Sequence, residues 1–322
     1  MKALITGANG FVGAHLARRL AARKDDVRCL VRRDRSNVLG IAGLEIVEGD
    51  VVDPASLRPA LEGIDVVFHL AGIRRSPDRE EFMRVNAEGT RHVCEAMIAT
   101  GARRLVLVGS LAASGPSVPD KPLRESDPLR PTEWYGESKA EAERIAFSYA
   151  GRLEVTVIRP SRILGPGDRE NLPFFKIVRR GLRLDLLGPR RPISFVDVDD
   201  VVDLCLLLAE RPEAVGEAFF CSAAELSLQE MEDLLVGWTG VRARNVPIPP
   251  AVLKGLAAAA DVASKLSGRH LPLNRKLARQ LLAPAWTCST EKAERVLGWR
   301  AKVPIEQSLR ESLDWYQAHG WL

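Results

Sequence analysis

The segment "YGESK" places Tyr135 four positions ahead of Lys139. On a helix that spacing projects both side chains from one face. A phenol with its ordinary pKa of about 10 is a poor acid–base group at neutral pH. An ammonium one turn away stabilises the phenolate and brings that pKa down. Such a pair can give a proton to a bound oxygen or take one from it. The chain has only three tyrosines, yet a lone Tyr-x-x-x-Lys arises by composition often enough to decide nothing by itself. No carboxylate pair, histidine cluster, metal-ligand spacing or Ser-His-Asp pattern competes with it.

The elements that would position the pair are legible in the first 160 residues. Runs such as "KALIT", "DVRCLV", "LEIVEG", "DVVFHLA", "RRLVLVGS" and "EVTVIRP" read as strands, with helical patterns such as "GAHLARRLAARK" between several of them. Near-continuous apolar strands separated by amphipathic helices predict a parallel sheet covered on both faces. A further strand is expected at "ISFVDV" (193–198), followed by a helix with Asp199 or Asp200 as its cap. From Glu225 onward the chain reads as short helices broken by "VPIPP", "LPLN" and "APAW", including the apolar stretch 251–266. The expected organisation is a nucleotide-binding unit of residues 1–165 with 191–222, and a substrate-binding lobe of residues 166–190 with 223–322.

Bulk properties exclude several classes. The net charge of +4, with acids and bases interspersed, lacks the concentrated basic stripe of a nucleic-acid binder. Five cysteines, an odd number with no C-x-x-C pair, argue against a disulfide framework or zinc site and fit a reducing compartment. No signal peptide is read ahead of the first strand, and Lys254 and Asp261 interrupt the most apolar helix too early for a membrane span. A cytoplasmic location is expected.

"LITGANGFVG" falls where a first strand should turn into a first helix, with Gly7, Gly10 and Gly13 spaced G-x-x-G-x-x-G. Glycine there allows a tight turn and close backbone approach to a pyrophosphate, and the helix N-terminus offers free N–H groups to it. Specificity for the ribose is read about 20 residues on, at the end of the second strand. There the chain carries Arg32, suited to a 2′-phosphate, with Asp34 too far along for the ribose. That argues for NADP(H) over NAD(H), the latter remaining possible. Asp50 could accept from the adenine amino group, and Ala71 and Gly72 are small enough to lie beside the cofactor.

Taken together, these segments resemble the extended short-chain dehydrogenase/reductase superfamily. The likeness runs in order through Thr6–Gly13, "GDVVD" (49–53), "FHLAG" (68–72), "VNAEGT" (85–90), "VGSLAASG" (108–115), "YGESK", "RPSRILGPG" (159–167) and "SFVDVDD" (194–200). The resemblance implies a Rossmann-type, doubly wound α/β fold with a mostly seven-stranded parallel sheet and a smaller α-rich C-terminal substrate lobe. It implies Ser110, Tyr135 and Lys139 as the reacting set, Tyr135 as acid–base, Ser110 on the substrate oxygen and Lys139 also on the nicotinamide ribose. The cofactor set it implies is Gly7, Asn9, Gly10, Phe11, Val12, Gly13, Arg32, Asp50, Val51, Leu70, Ala71, Gly72, Pro160 and Ile163, with Tyr135 and Lys139. No metal is expected. A homodimer, built through the helix bearing the pair and the one before it, is implied as well. Asn86 is assigned no chemical role, and His69 is expected to line the cofactor pocket or the core.

Sugar-nucleotide members of the superfamily usually carry an asparagine and an arginine where this chain has Arg162 and Ile193. Losing that arginine counts against a charged diphosphate, whose desolvation would go uncompensated, although Arg190 and Arg191 stand close by. The expected activity is therefore interconversion of a ketone or aldehyde and an alcohol on a largely apolar small molecule. The rivals are a nucleotide-sugar epimerase or dehydratase with tightly bound NAD, and a non-enzymatic nucleotide sensor.

Overall fold

Short runs of Val, Leu, Ile and Phe build the frame of the computed structural model, which describes residues 1–267 and 273–322. Its strands are β1 (Lys2–Thr6), β2 (Asp26–Val31), β3 (Leu44–Glu48), β4 (Val66–His69), β5 (Arg104–Val108) and β6 (Glu154–Pro160), then β7 (Arg162–Leu164), β8 (Leu182–Leu186), β9 (Ile193–Asp197), β10 (Ala218–Cys221), β11 (Ala224–Leu226) and β12 (Arg244–Ile248). Seven of them form one sheet in the order β10-β6-β5-β4-β1-β2-β3, and every pairing within it is parallel. Helices cover both faces. The Phe11–Ala22 and Val198–Glu210 helices flank one apolar core, and the Gly89–Thr100 and Trp134–Ser148 helices cover the other. The fold is the Rossmann-type α/β architecture expected.

The order of the sheet matters to function. From β1 the chain runs outward through β2 and β3, then returns to place β4 on the other side of β1. The loops after β1 and β4 therefore diverge across one crevice at the carboxyl edge, where ligands of such sheets bind.

The region after residue 165 departs from expectation. Ile193–Asp197 is a strand, but it does not extend the parallel sheet. It is the centre of a three-stranded sheet, parallel to β7 and antiparallel to β11. The seventh strand of the main sheet is "AFFC", β10, unassigned from sequence. The helix after β9 is capped by Asp197, whose side chain accepts from the Asp199 N–H at 2.7 Å, rather than by Asp199 or Asp200. Strand and helix join without a loop, so the cap is the last strand residue.

"VPIPP", read as a break, begins inside β12 (Arg244–Ile248), which pairs in parallel with β8. Pro247 is tolerated because a two-stranded ribbon is all edge and needs no donor at that position. The Pro250–Ser267 helix matches its expected apolar stretch, while the break at "LPLN" begins outside the described residues. A third apolar cluster, including Phe175, Phe195, Leu235, Leu309 and Tyr316, joins the three-stranded sheet to these C-terminal helices. No helix among the described residues is long and apolar enough to cross a membrane.

Phe195 is fully buried in that third cluster, and its ring lies 5.9 Å from the Arg162 guanidinium carbon. Phe195→Ala should cost about 3–5 kcal/mol, read as a lowered urea midpoint. An unchanged midpoint would mean that the small sheet is not packed as described.

Candidate active site

The Trp134–Ser148 helix carries Tyr135 and Lys139 on one face. It starts at Trp134, capped by Glu133, whose side chain accepts from the Gly136 N–H at 3.2 Å. Gly136 has no room for a side chain, since a Cβ there would collide with the Ala112 carbonyl. That contact seats the first turn of the helix directly on the segment that begins at Ser110. Ser110 lies two residues past β5 and caps the short Leu111–Ser114 helix, its hydroxyl accepting from the Ala112 N–H at 3.2 Å. The fold thus brings the three expected residues to one place at the carboxyl end of β5.

Lys139 is almost entirely out of water, with 5 % of its surface exposed. Its Nζ donates to the Val108 carbonyl at 2.6 Å, and it lies on the side of Gly72, where a Cβ would be 4.0 Å away. Burial pushes its pKa down to about 8, the Glu143 carboxylate opposing that and the Arg74 charge adding to it. Glu143, one turn further along the helix, is buried and accepts from Arg159 Nε at 2.9 Å and Nη2 at 2.7 Å. Its other oxygen has no hydrogen-bond partner among the described residues. Burial raises the Glu143 carboxyl, with Arg159 pulling it back. Beneath the pair therefore lies a buried row of alternating charge, Lys139, Glu143 and Arg159. Sequence reading missed Glu143 and Arg159, though Glu143 at i+4 from Lys139 was a visible signal.

Asn86, given no chemical role, ties the site together. Its side chain accepts from the Ile73 N–H at 2.8 Å and donates to the Ile73 carbonyl at 3.0 Å and to Ser138 Oγ at 2.8 Å. It sits in a wide helical turn, Met83–Glu88, and locks the loop after β4 to the helix bearing the pair. That loop also brings Arg74 over the Tyr135 ring, 5.2 Å from its centroid, while Phe82 meets the ring edge-on at 6.4 Å.

The cofactor candidates converge on the crevice between β1 and β4. Gly7 has φ +71°, and a Cβ there would lie 2.7 Å from the Ala71 nitrogen. Gly10 is the N-cap of the first helix, which no side chain caps, so its first N–H groups are left for a ligand. Gly13 abuts the Gly7 carbonyl, and Phe11 and Val12 open the helix half-buried. Asn9 instead braces the loop after β2, taking the Asn37 N–H at 2.8 Å and giving its carbonyl to Asn37 Nδ2 at 2.7 Å. Leu70 and Ala71 bond back to Thr6, at 3.2 Å in each case. Pro160 ends β6, and Ile163 lies in β7 with its carbonyl accepting from Asn171 Nδ2 at 2.9 Å.

Arg32 stands exposed just past β2, where an adenosine ribose would be read, and no ion pair among the described residues holds it. Asp34 is engaged locally, its Oδ1 accepting from the Ser36 N–H at 2.9 Å, which lowers its pKa. Asp50 is also turned inward, accepting from the Val52 N–H at 3.1 Å, and Val51 beside it is buried. These cradles fit a dinucleotide: the glycines clear its path, and a bare helix terminus faces it.

His69 is core rather than base. Thr90 donates to the Asn86 carbonyl at 2.7 Å and Thr6 accepts from the Ala71 N–H, so His69 donates from Nε2 to Thr90 at 3.0 Å and accepts at Nδ1 from Thr6 at 2.6 Å. That arrangement requires the neutral ring. Burial, aided by the Lys139 charge, pushes its pKa down to about 3. The five cysteines are buried free thiols, and burial raises the pKa of each. No group of three metal-ligating side chains occurs among the described residues.

Comparison with known proteins follows the same lines. Residues 3–221 match the NAD dependent epimerase/dehydratase family. The chain belongs to that family. It is thereby an NAD(P)-dependent oxidoreductase of the extended short-chain dehydrogenase/reductase type. It is 31 % identical to the ceramide reductase of Caulobacter vibrioides, over 99 % of this chain and 95 % of the relative. It is 31 % identical to the 2-alkyl-3-oxoalkanoate reductase of Stenotrophomonas maltophilia, over 96 % and 98 %. Among solved structures, the dTDP-glucose 4,6-dehydratase of Streptomyces venezuelae with NAD bound superimposes with a TM-score of 0.81 at 25 % identity, covering 100 % of this chain and 98 % of that one.

The neutral His69 generates a pH dependence of stability. Its folded pKa, about 3, is below the unfolded value of 6.5, so on acidification the unfolded chain takes a proton that the folded one refuses. Stability present above pH 6.5 should fall as pH drops toward 3, by about 1.4 kcal/mol per unit from this group. A His69→Asn variant should show a correspondingly shallower loss in denaturation followed across pH. Equal slopes would contradict the assignment.

Proposed function

We propose that this chain is an NADP(H)-dependent reductase interconverting a ketone or aldehyde and an alcohol on a largely apolar small molecule. The observation that carries the reading is the buried Lys139 ammonium one turn below Tyr135, at the crevice edge where Ser110 follows β5. Residues 1–165 with 191–222 bind the nucleotide in this account, and residues 166–190 with 223–322 the substrate. A bound nicotinamide supplies hydride to the carbonyl carbon. Tyr135 gives its proton to the oxygen as that oxygen becomes alkoxide, and Ser110 donates a hydrogen bond to the same atom. Lys139 keeps the resulting phenolate from being an isolated negative charge. Gly7, Gly10, Phe11, Val12 and Gly13 hold the pyrophosphate, and the unpaired Arg32 takes the 2′-phosphate.

Two features support a substrate other than a sugar nucleotide. Arg190 and Arg191, which could have replaced the missing diphosphate arginine, are engaged elsewhere: Arg190 with Glu230 at 3.0 Å, and Arg191 with the Leu186 carbonyl at 3.1 Å. Beside the root of the Tyr135 helix, a cleft of about 590 Å³ has an apolar wall of Ala257, Ala278, Leu282 and Pro284, with Lys254, Arg275 and Arg279 also lining it, which suits an alkyl group on a substrate that carries negative charge. The relatives named for keto-compound reduction favour the same reading.

Tyr135→Phe removes the hydroxyl and keeps the ring. It should lower turnover of any reduced carbonyl substrate by about 10²–10⁴ while nucleotide affinity, followed by fluorescence titration, changes little. Turnover equal to that of the wild-type protein would sink the mechanism.

A further inference from the structure

Arg74 has charge and position but no partner. It lies in the loop after β4, with its guanidinium carbon 5.2 Å from the Tyr135 ring centroid. Among the described residues it makes no hydrogen bond and no ion pair, although the neighbouring cations are held, Arg75 by Glu170 at 3.0 Å and Arg79 by Glu137 at 2.7 Å. Arg74 is exposed, so its guanidinium is open to a ligand, and Tyr135, Glu170, Asp168 and Glu133 lie near enough to act on its charge.

Arg162 lies near enough to feel the Arg74 charge. Its Nε donates to Asn171 Oδ1, its guanidinium lies 4.8 Å from the Phe174 ring centroid, and among the described residues the rest of its fork has no hydrogen-bond or ion-pair partner. Burial, with Arg74 nearby, pushes its pKa down to about 10. The carboxylates in reach are already occupied. Asp168 takes the Glu170 and Asn171 N–H groups and Asn171 Nδ2, Glu170 takes Arg75, and Glu133 caps the Tyr135 helix near Lys276. Arg74 is thus a cation beside the Tyr135 ring that none of these carboxylates holds by a hydrogen bond or ion pair among the described residues.

We propose that Arg74 anchors a single carboxylate of the substrate, and that the substrate is an oxo acid. Its carbonyl lies at the Tyr135 hydroxyl, its carboxylate a few bonds away on the guanidinium stacked over the same ring, and its alkyl part toward the C-terminal lobe. A single guanidinium beside the Tyr135 ring matches one carboxylate a few bonds from the reacting carbonyl. A guanidinium presents a planar fork to a carboxylate, so the contact also fixes which face of the carbonyl is offered. This deepens the reductase reading and rests on it.

The test compares reduction of 3-oxodecanoate and of methyl 3-oxodecanoate by the wild-type protein and by Arg74→Gln, with either nicotinamide nucleotide supplied. Wild-type kcat/KM should favour the acid by about thirtyfold, the size of one charge-assisted hydrogen-bonded contact. In Arg74→Gln that ratio should collapse toward one, mainly through KM of the acid, and Arg74→Lys should restore part of it. No preference for the acid in the wild type, or an equal loss for both substrates confined to kcat, overturns the proposal and leaves the reductase reading standing. Failure to reduce the acid, the ester or simple ketones overturns both.

Discussion

One buried charge organises this molecule. Lys139 puts an ammonium where water scarcely reaches, at the carboxyl end of β5, and the cost of that burial is visible in a pKa pushed down to about 8. Uncompensated, such a group would sit neutral and could do nothing for a phenolate. The Val108 carbonyl and the Glu143 carboxylate keep it charged, and Arg159 in turn holds Glu143. Each of these comes from a different element, so the position of the ammonium depends on the sheet, the helix and their packing together. A pair that reads as two residues in sequence is the exposed end of a four-group network.

The second constraint is the reversal of strand order at β1. It opens a crevice between the first turn and the loop after β4, and the glycines at 7 and 13 let backbone approach backbone there. The loop after β4 then does more than wall the crevice. Asn86 fixes it to Ser138, and Arg74 within it lies over Tyr135. Cofactor side and substrate side are thus held to the same helix, which is how one crevice can align a nicotinamide with a carbonyl.

What could be read from the sequence is what depends on local pattern. The parallel strands, the glycine turn, the Tyr135–Lys139 spacing and the Pro250–Ser267 helix all carry their signal in adjacent residues. What escaped depends on partners far along the chain. β10 is four residues, too short for its pattern to stand out after the turn at Gly216, and it is a strand because β6 offers an open edge. β7, β8, β11 and β12 are short, and their pairings, β7 and β11 with β9 and β8 with β12, decide their state more than propensity does. Glu143 and Arg159 look like surface charges until packing removes them from water. Arg74 was passed over because nothing in "GIRRSP" marks one arginine as paired and the next as free.

The residue types around the site bear on the rival activity too. An epimerase or dehydratase oxidises and re-reduces its substrate on one cofactor, which must not leave. A reductase releases its nucleotide each turn. An exposed Arg32 with no competing carboxylate, beside an Asp34 already engaged with Ser36, favours a phosphorylated nucleotide that comes and goes. The most direct measurement is to purify the protein without added cofactor, denature it, identify any nucleotide released, and titrate the emptied protein with NADPH and NADH. The account predicts less than stoichiometric nucleotide and a preference for NADPH of tenfold or more, about 1.4 kcal/mol. Stoichiometric NAD retained through purification would contradict it and put the epimerase or dehydratase chemistry in its place.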